Sequence, residues 1–313
     1  MHYVDLHCDT LTELLVHNTD LVNEQLHISL DRLPADGGYL QTMAIFMPDE
    51  YRGEPAAEYF DRHYACYREQ LEKYAHRMEE VVDFSRVEDI WDRGKTGCIL
   101  SIEGGSALCG QIRRVRWMAE RRVRMITLTW NGANELGGGQ MEDIGLTDFG
   151  RQAVAEMEKW GIVVDVSHLG DRGFAEICRI AKRPFVATHS NSRTIWPHKR
   201  NLTDAQFLEF VRRGGLVGLN FYIDFLGDGA QESPQKLLEH IKHFLALGGE
   251  DVLALGSDFD GSTVPDYLNS ADRLTDLTQY LLEHGLEERV VEKIMYRNAL
   301  NFWQRYEAEK GRS

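Results

Sequence analysis

Short runs rich in Val, Ile, Leu and Phe alternate along this chain with longer stretches in which apolar residues return every three or four positions. The runs at 3–7, 41–46, 97–103, 123–129, 162–168, 185–189, 216–221 and 252–258 read as eight strands. Between them the spacing predicts helices over 55–82, 107–122, 148–160, 171–181, 204–212 and 234–247, with two or three more inside 270–309. Thr203 before Asp204 is a capping residue, and Pro234 after Ser233 suits a first helical turn. Strand–helix alternation of this kind predicts an α/β fold with a parallel sheet, and eight strands close it into a (β/α)8 TIM barrel with loop insertions and extra C-terminal helices. No repeat, low-complexity tract or Pro/Ser-rich linker divides the 313 residues, so a single domain over 1–313 is expected. The longest insertions fall at 18–38 and after the second strand. Gly137-Gly138-Gly139 reads as a flexible loop following the fourth.

Composition narrows the function classes. Hydrophobic residues make up 43% of the chain, enough for a large core. Lys and Arg total 35 against 50 Asp and Glu, a formal charge of −15, which disfavours nucleic acid or an anionic membrane as a partner. Five cysteines, an odd number without CxxC spacing, suggest reduced thiols rather than a disulfide framework or a structural zinc site. The N-terminus, MHYVDLHCDT, has neither a basic nor an apolar leader region, and no apolar run approaches the roughly 18 residues of a spanning helix. A cytoplasmic protein is expected.

Chemistry gathers at the strand ends. His7 and Asp9 close the first strand, Glu103 the third, His168 the fifth, His189 the sixth and Asp258 the eighth. In a barrel these ends meet at one mouth, where active sites lie. Any one such histidine is more often a hydrogen-bonded structural residue, and any one such acid more often caps a helix. Their coincidence at one rim is hard to explain by packing. In His7-Cys8-Asp9 the first and third side chains share a face, so both can grip one ion, while Cys8 points away and packs. Gly104-Gly105 lets the backbone turn sharply after Glu103, and the small Ala254 and Gly256 leave room beneath Asp258. Three imidazoles and two carboxylates, before Asp258 is counted, exceed one open tetrahedral site but suit two divalent metal ions sharing a bridge, with zinc the metal of choice. His240 and His243 could chelate from one helix but read as a solvated face. His2, His17, His27, His63, His76 and His284 read as ordinary surface or helix residues.

The chain resembles the membrane (renal) dipeptidase family of zinc peptidases, within the amidohydrolase-like barrels. The likeness is carried by Asp5-Leu6-His7-Cys8-Asp9-Thr10, Ser101-Ile102-Glu103-Gly104-Gly105, Asp165-Val166-Ser167-His168, Thr188-His189-Ser190, Arg200-Asn201, Leu219-Asn220-Phe221-Tyr222, Gly256-Ser257-Asp258-Phe259-Asp260-Gly261 and a late Asn298-Ala299-Leu300-Asn301-Phe302. These run in family order across nearly the whole chain. The resemblance implies one metal on His7 and Asp9, a second on His168 and His189, and Glu103 bridging both. It also implies Arg200 on the substrate's free carboxylate and Asp258 as the catalytic group serving the amine or leaving-group proton. Tyr222, Trp130 and Asn131 are expected to contact substrate. The implied substrate is a small dipeptide, with a D-residue tolerated second, and the implied assembly is a homodimer. Mammalian members place a histidine after the fourth strand's Leu-Thr, contacting the substrate carbonyl or tetrahedral intermediate. Here the chain reads Leu128-Thr129-Trp130-Asn131, and that role passes to Asn131 or His198, or is missing. Two other readings stay open. One is a related amidohydrolase acting on a cyclic amide, lactone or phosphoester, disfavoured by Glu103 where a bridging lysine is usual. The other is a non-catalytic metal-binding barrel, disfavoured because no ligand is lost.

Overall fold

The computed structural model describes residues 1–309. Its strands are β1 (Tyr3–Cys8), β2 (Tyr39–Phe46), β3 (Met78–Glu80), β4 (Thr96–Glu103), β5 (Val123–Thr127), β6 (Val163–Asp165), β7 (Val186–Ala187), β8 (Leu216–Leu219) and β9 (Leu253–Leu255). Eight of them form a ring in the order β2-β1-β9-β8-β7-β6-β5-β4, closed by pairing of β2 with β4 from Leu40↔Gly97 to Phe46↔Glu103. Every pairing is parallel. The fold is a (β/α)8 barrel, so all C-terminal strand ends open on one face.

The ninth strand, β3, lies outside the ring. It pairs with the start of β4, ahead of the point where β5 joins at Leu100↔Val123. This corrects the helix expected over 55–82, which spans Gly53–Lys73. The amide of Arg77 donates to the carbonyl of Tyr74, and that turn redirects the chain so that Met78 enters the core. The helix expected over 107–122 likewise shortens to Arg113–Glu120, because Cys109 and Gly110 both take positive φ (52° and 63°) and stop any earlier helix. The helices Asp148–Trp160, Asp171–Ile180, Asp204–Arg213 and Gln235–Ala246 lie where the periodicity put them. Thr203 caps its helix through a reciprocal bond with Gln206.

The C-terminal helices Leu274–Glu283, Glu288–Glu292 and Asn298–Ala308 lie toward the N-terminal ends of the strands. There the Asn298 side-chain amide donates to the carbonyls of Glu250 and Leu253, and Trp303 stacks on Phe84 at 4.5 Å. That end is sealed by packing. The mouth is left for chemistry.

Two glycines make the barrel narrow just below the mouth. A Cβ on either Gly218 or Gly256 would lie 1.8 Å from the carbonyl oxygen of Thr188, the residue before His189. No rearrangement of a flexible side chain relieves such a clash, because the obstacle is backbone. Gly256→Ala is therefore expected to destabilise the fold by about 3 kcal/mol. The check is the urea midpoint of the purified variant, which should fall with the slope of the transition unchanged.

Candidate metal centre

The strand-end residues reach the mouth by leaving the ladder. β6, β7 and β9 end at Asp165, Ala187 and Leu255, short of the expected 168, 189 and 258. His168 and Asp258 both sit at left-handed φ, 65° and 63°, which swings each side chain off the strand line. Gly104 turns at φ 100° directly after Glu103, where any Cβ would meet the Met47 carbonyl at 2.9 Å. His7, Asp9, Glu103, His168, His189 and Asp258 are all buried.

The six side chains converge. Glu103 divides its carboxylate: Oε2 faces His7 Nε2 at 3.5 Å, while Oε1 faces His168 Nε2 at 2.7 Å and His189 Nε2 at 3.6 Å. His7 Nε2 also lies 3.5 Å from Asp9 Oδ2 and 3.9 Å from Asp258 Oδ1. Three donor groups, each with atoms within 4.8 Å of one another, can be drawn from the set: His7 with Asp9 and Glu103, Glu103 with His168 and His189, and His7 with His189 and Asp258.

Hydrogen bonds behind the imidazoles decide which nitrogen points forward. Thr188 Oγ1 donates to Asp165 Oδ2 at 2.7 Å, so toward His189 it accepts, and His189 Nδ1 carries the proton at 2.8 Å. His168 Nδ1 lies 3.0 Å from Asn131 Oδ1, an acceptor, and is protonated by the same logic. Both Nε2 atoms therefore present bare lone pairs, 2.9 Å apart and facing Glu103 Oε1. Three lone pairs aimed at one point repel one another unless a cation sits among them. His7 Nε2 and Asp9 Oδ1 are buried with no hydrogen-bond partner among the described residues. The donor set fits divalent metal.

Charge tells the same story. Burial opposes protonation of His7, but Asp9 and Glu103 outweigh it and hold its pKa well above the ordinary imidazole range. Burial would raise Glu103, yet His7 and His168 bring it well below the usual carboxylate value. Asp9 is pushed up to about 7 by burial and the charge of Glu103. Burial lowers His168 and, more strongly, His189, with nearby Arg200 adding to both.

The centre opens into a cavity of about 630 Å³. Asp9, Glu103, His168 and Asp258 form part of its wall, completed by Phe46, Trp130, Asn131, Tyr222, Phe225, Thr12, Glu13, Asp260, Gly261, Ser262 and Thr263. Trp130 packs edge-on against Phe46 at 4.9 Å, and Tyr222 donates from its hydroxyl to Asp224 at 2.6 Å. Asp258 Oδ2 accepts from Asn220 at 3.0 Å. Arg200 lies behind this wall, 5% exposed, its guanidinium 5.3 Å from the Phe225 ring. Its bonds to the His189 carbonyl (3.3 Å) and Ser190 Oγ (3.5 Å) are long, and its Nε has no partner among the described residues. Burial lowers its pKa to about 10. His198 stands outside the cavity wall, its ring on Phe225 at 4.6 Å and its Nδ1 accepting from the Arg200 amide.

Several supporting residues carried no expected role. Asp5, fully buried, accepts from the Ser257 amide and hydroxyl and so ties β1 to the turn before Asp258. Asp165 accepts hydrogen bonds from the Thr127 and Thr188 hydroxyls and from the Ser167 and Thr188 amides. Asp260 binds Thr10 Oγ1 and the amides of His27 and Ile28, while its own amide donates to His27 Nδ1. A sequence signal existed for the first two, each an acid a few residues before a strand-end histidine. None existed for His27, or for His240, which is wholly buried between the Ser192 amide and the Leu226 carbonyl rather than on a solvated face. His63 is buried as well.

Comparison with known proteins follows the same line. A family model described as membrane dipeptidase, peptidase family M19, matches residues 1–313. An uncharacterised protein of the pqqA 5′ region of Klebsiella pneumoniae is 32% identical over 256 residues, covering 77% of this chain and 94% of that protein. Among solved structures, dipeptidase AC, a metallopeptidase of family M19, superposes with a TM-score of 0.92 at 26% identity over 98% of each chain. A metallopeptidase from Rhodobacter sphaeroides, liganded with a phosphinate mimic of the dipeptide L-Ala-D-Ala, gives 0.91 at 25% identity over 98% of this chain and 99% of its own. With a match running the whole length, the chain belongs to the membrane dipeptidase family, peptidase family M19, and is a metal-dependent dipeptidase.

Proposed function

We propose that this chain is a binuclear dipeptidase, with zinc as the metal, that hydrolyses dipeptides and accepts a D-residue in the second position. The observation that carries the two-metal reading is the divided carboxylate of Glu103, one oxygen toward His7 and the other toward His168 and His189. In this reading His7 and Asp9 hold one ion, His168 and His189 the other, and Glu103 both. Tolerance of a D-residue is supported by the likeness to the Rhodobacter sphaeroides enzyme and its L-Ala-D-Ala mimic.

When bound, such cations supply the Lewis acidity that polarises a scissile carbonyl and makes water a nucleophile near neutral pH. The chain's own residues do the rest. Asn131 and Thr188 hold the two imidazoles with Nε2 forward, so no reorganisation is needed at the moment of reaction. Asp258, steadied through Oδ2 by Asn220, keeps Oδ1 for the proton that must reach the departing nitrogen. Trp130 and Tyr222, in the cavity wall, shield the substrate from bulk water. Arg200 takes the substrate's carboxylate. A buried guanidinium with no carboxylate in ion-pair range among the described residues is costly, and an incoming carboxylate offsets that cost.

Three outcomes are expected. Metal-loaded protein should cleave a panel of dipeptides, including L-Xaa-D-Xaa pairs, and lose that activity on chelation; opening of cyclic amides with no dipeptide cleaved would sink the assignment. Glu103→Gln should lower bound zinc from about two ions per chain to one or fewer, by elemental analysis, and reduce kcat by about a thousandfold or more. Arg200→Ala should cut kcat/KM on a dipeptide by about a hundredfold while changing hydrolysis of the C-terminally amidated dipeptide by less than about threefold. Equal losses on both substrates would remove the clamp.

A further inference from the structure

Five acidic residues line the cavity: Asp9, Glu13, Glu103, Asp258 and Asp260. Four are already engaged. Asp9 and Glu103 face the imidazoles, Asp258 accepts from Asn220, and Asp260 is saturated by Thr10 and two backbone amides. Glu13 is different. It stands on the short helix Thr10–Val16 that follows β1, where its neighbours Leu11, Thr12 and Leu14 are buried and fix the helix against the barrel. Its side chain is 29% exposed, its one ion-pair partner among the described residues is the more exposed His17, at 3.2 Å from Oε2, and the carboxylate of Asp260 lies near enough to add like charge. No bond to Oε1 is made by any described residue. Ser262 and Thr263 line the cavity as well.

Arg200, in the segment after β7, keeps a guanidinium Nε without a partner among the described residues, and Glu13, after β1, has the exposed His17 beside one of its two oxygens; in the ring β8 and β9 stand between those two strands. A dipeptide with its carboxylate toward Arg200 and its scissile bond over the strand-end ligands directs its N-terminal residue away from β7, and Glu13 lines the cavity beyond β8 and β9. We propose that Glu13 is a specificity-determining residue that selects dipeptides whose N-terminal residue carries a cationic side chain, lysine- or arginine-like, with the hydroxyls of Ser262 and Thr263 solvating the cation. A long basic side chain suits the geometry, since its aliphatic stem can lie along the wall while only the charged end must reach the carboxylate. This inference rests on the dipeptidase reading and adds the substrate class to it.

The test compares L-lysyl-alanine with L-norleucyl-alanine, which is the same side chain without its ammonium group, each with the same alanine enantiomer. The wild-type protein is expected to favour the lysyl substrate in kcat/KM by about five- to tenfold, the scale of a partly screened charge pair. Glu13→Gln should bring that ratio close to one, mainly through KM, and Glu13→Lys should invert it and favour glutamyl-alanine. Raising the salt concentration should shrink the wild-type ratio, because the pair is partly exposed. Cleavage of norleucyl-alanine with a ratio near one, or a ratio that Glu13→Gln leaves intact, overturns the role of Glu13 and leaves the dipeptidase reading standing. Failure to cleave either dipeptide overturns both.

Discussion

Three lone pairs pointed at a single spot are the constraint on which the rest of the site depends. His168 Nε2, His189 Nε2 and Glu103 Oε1 cannot lie this close in a low-dielectric interior unless positive charge is placed between them. That arrangement persists only because something holds each ring from behind: Asn131 for His168, and the relay from Asp165 through Thr188 for His189. The barrel's buried polar groups are therefore not incidental. Asp5, Asp165 and Asn220 carry no reacting atom, but each fixes the orientation of a residue that does.

The backbone serves the same end. Parallel strands bring their C-terminal ends to one rim, yet a straight strand would aim successive side chains alternately inward and outward. Left-handed turns at His168 and Asp258 and a glycine turn after Glu103 break that alternation where donors must gather. Gly218 and Gly256 then let the strands beneath approach the Thr188 carbonyl, holding His189 toward the centre. A non-glycine residue at positive φ is strained in isolation, and here it recurs at two of the six converging side chains.

Charge is segregated on three scales. The chain as a whole carries −15, the metal centre gathers carboxylates that cations neutralise, and around the cavity a buried arginine lies behind the wall while a partly exposed glutamate stands in it. In the binding mode proposed above, the last of these gives a small zwitterionic ligand a direction. Affinity for the centre alone would not distinguish one end of a dipeptide from the other, whereas opposed charges do.

The periodicity of apolar residues determined the class of fold and the position of most elements. Helices such as Asp148–Trp160 and Asp171–Ile180 declare themselves because one face repeats every three to four residues regardless of what covers it. The same local logic made the converging residues legible, since strand-end His and Asp need only a barrel to meet. It failed where the outcome is set by distant neighbours. β3 has only three residues, too few for a period, and it exists because the start of β4 has a free edge. His240 and His63 look solvent-facing in sequence and are buried by contacts from other elements. Arg200 could be named as a carboxylate clamp, but only the packing of Phe225 and the His189 carbonyl decides that its guanidinium lies buried and unpaired. Sequence records what each segment prefers; which charges are left without partners is a property of the assembled whole, because burial and pairing are decided by residues far apart in the chain.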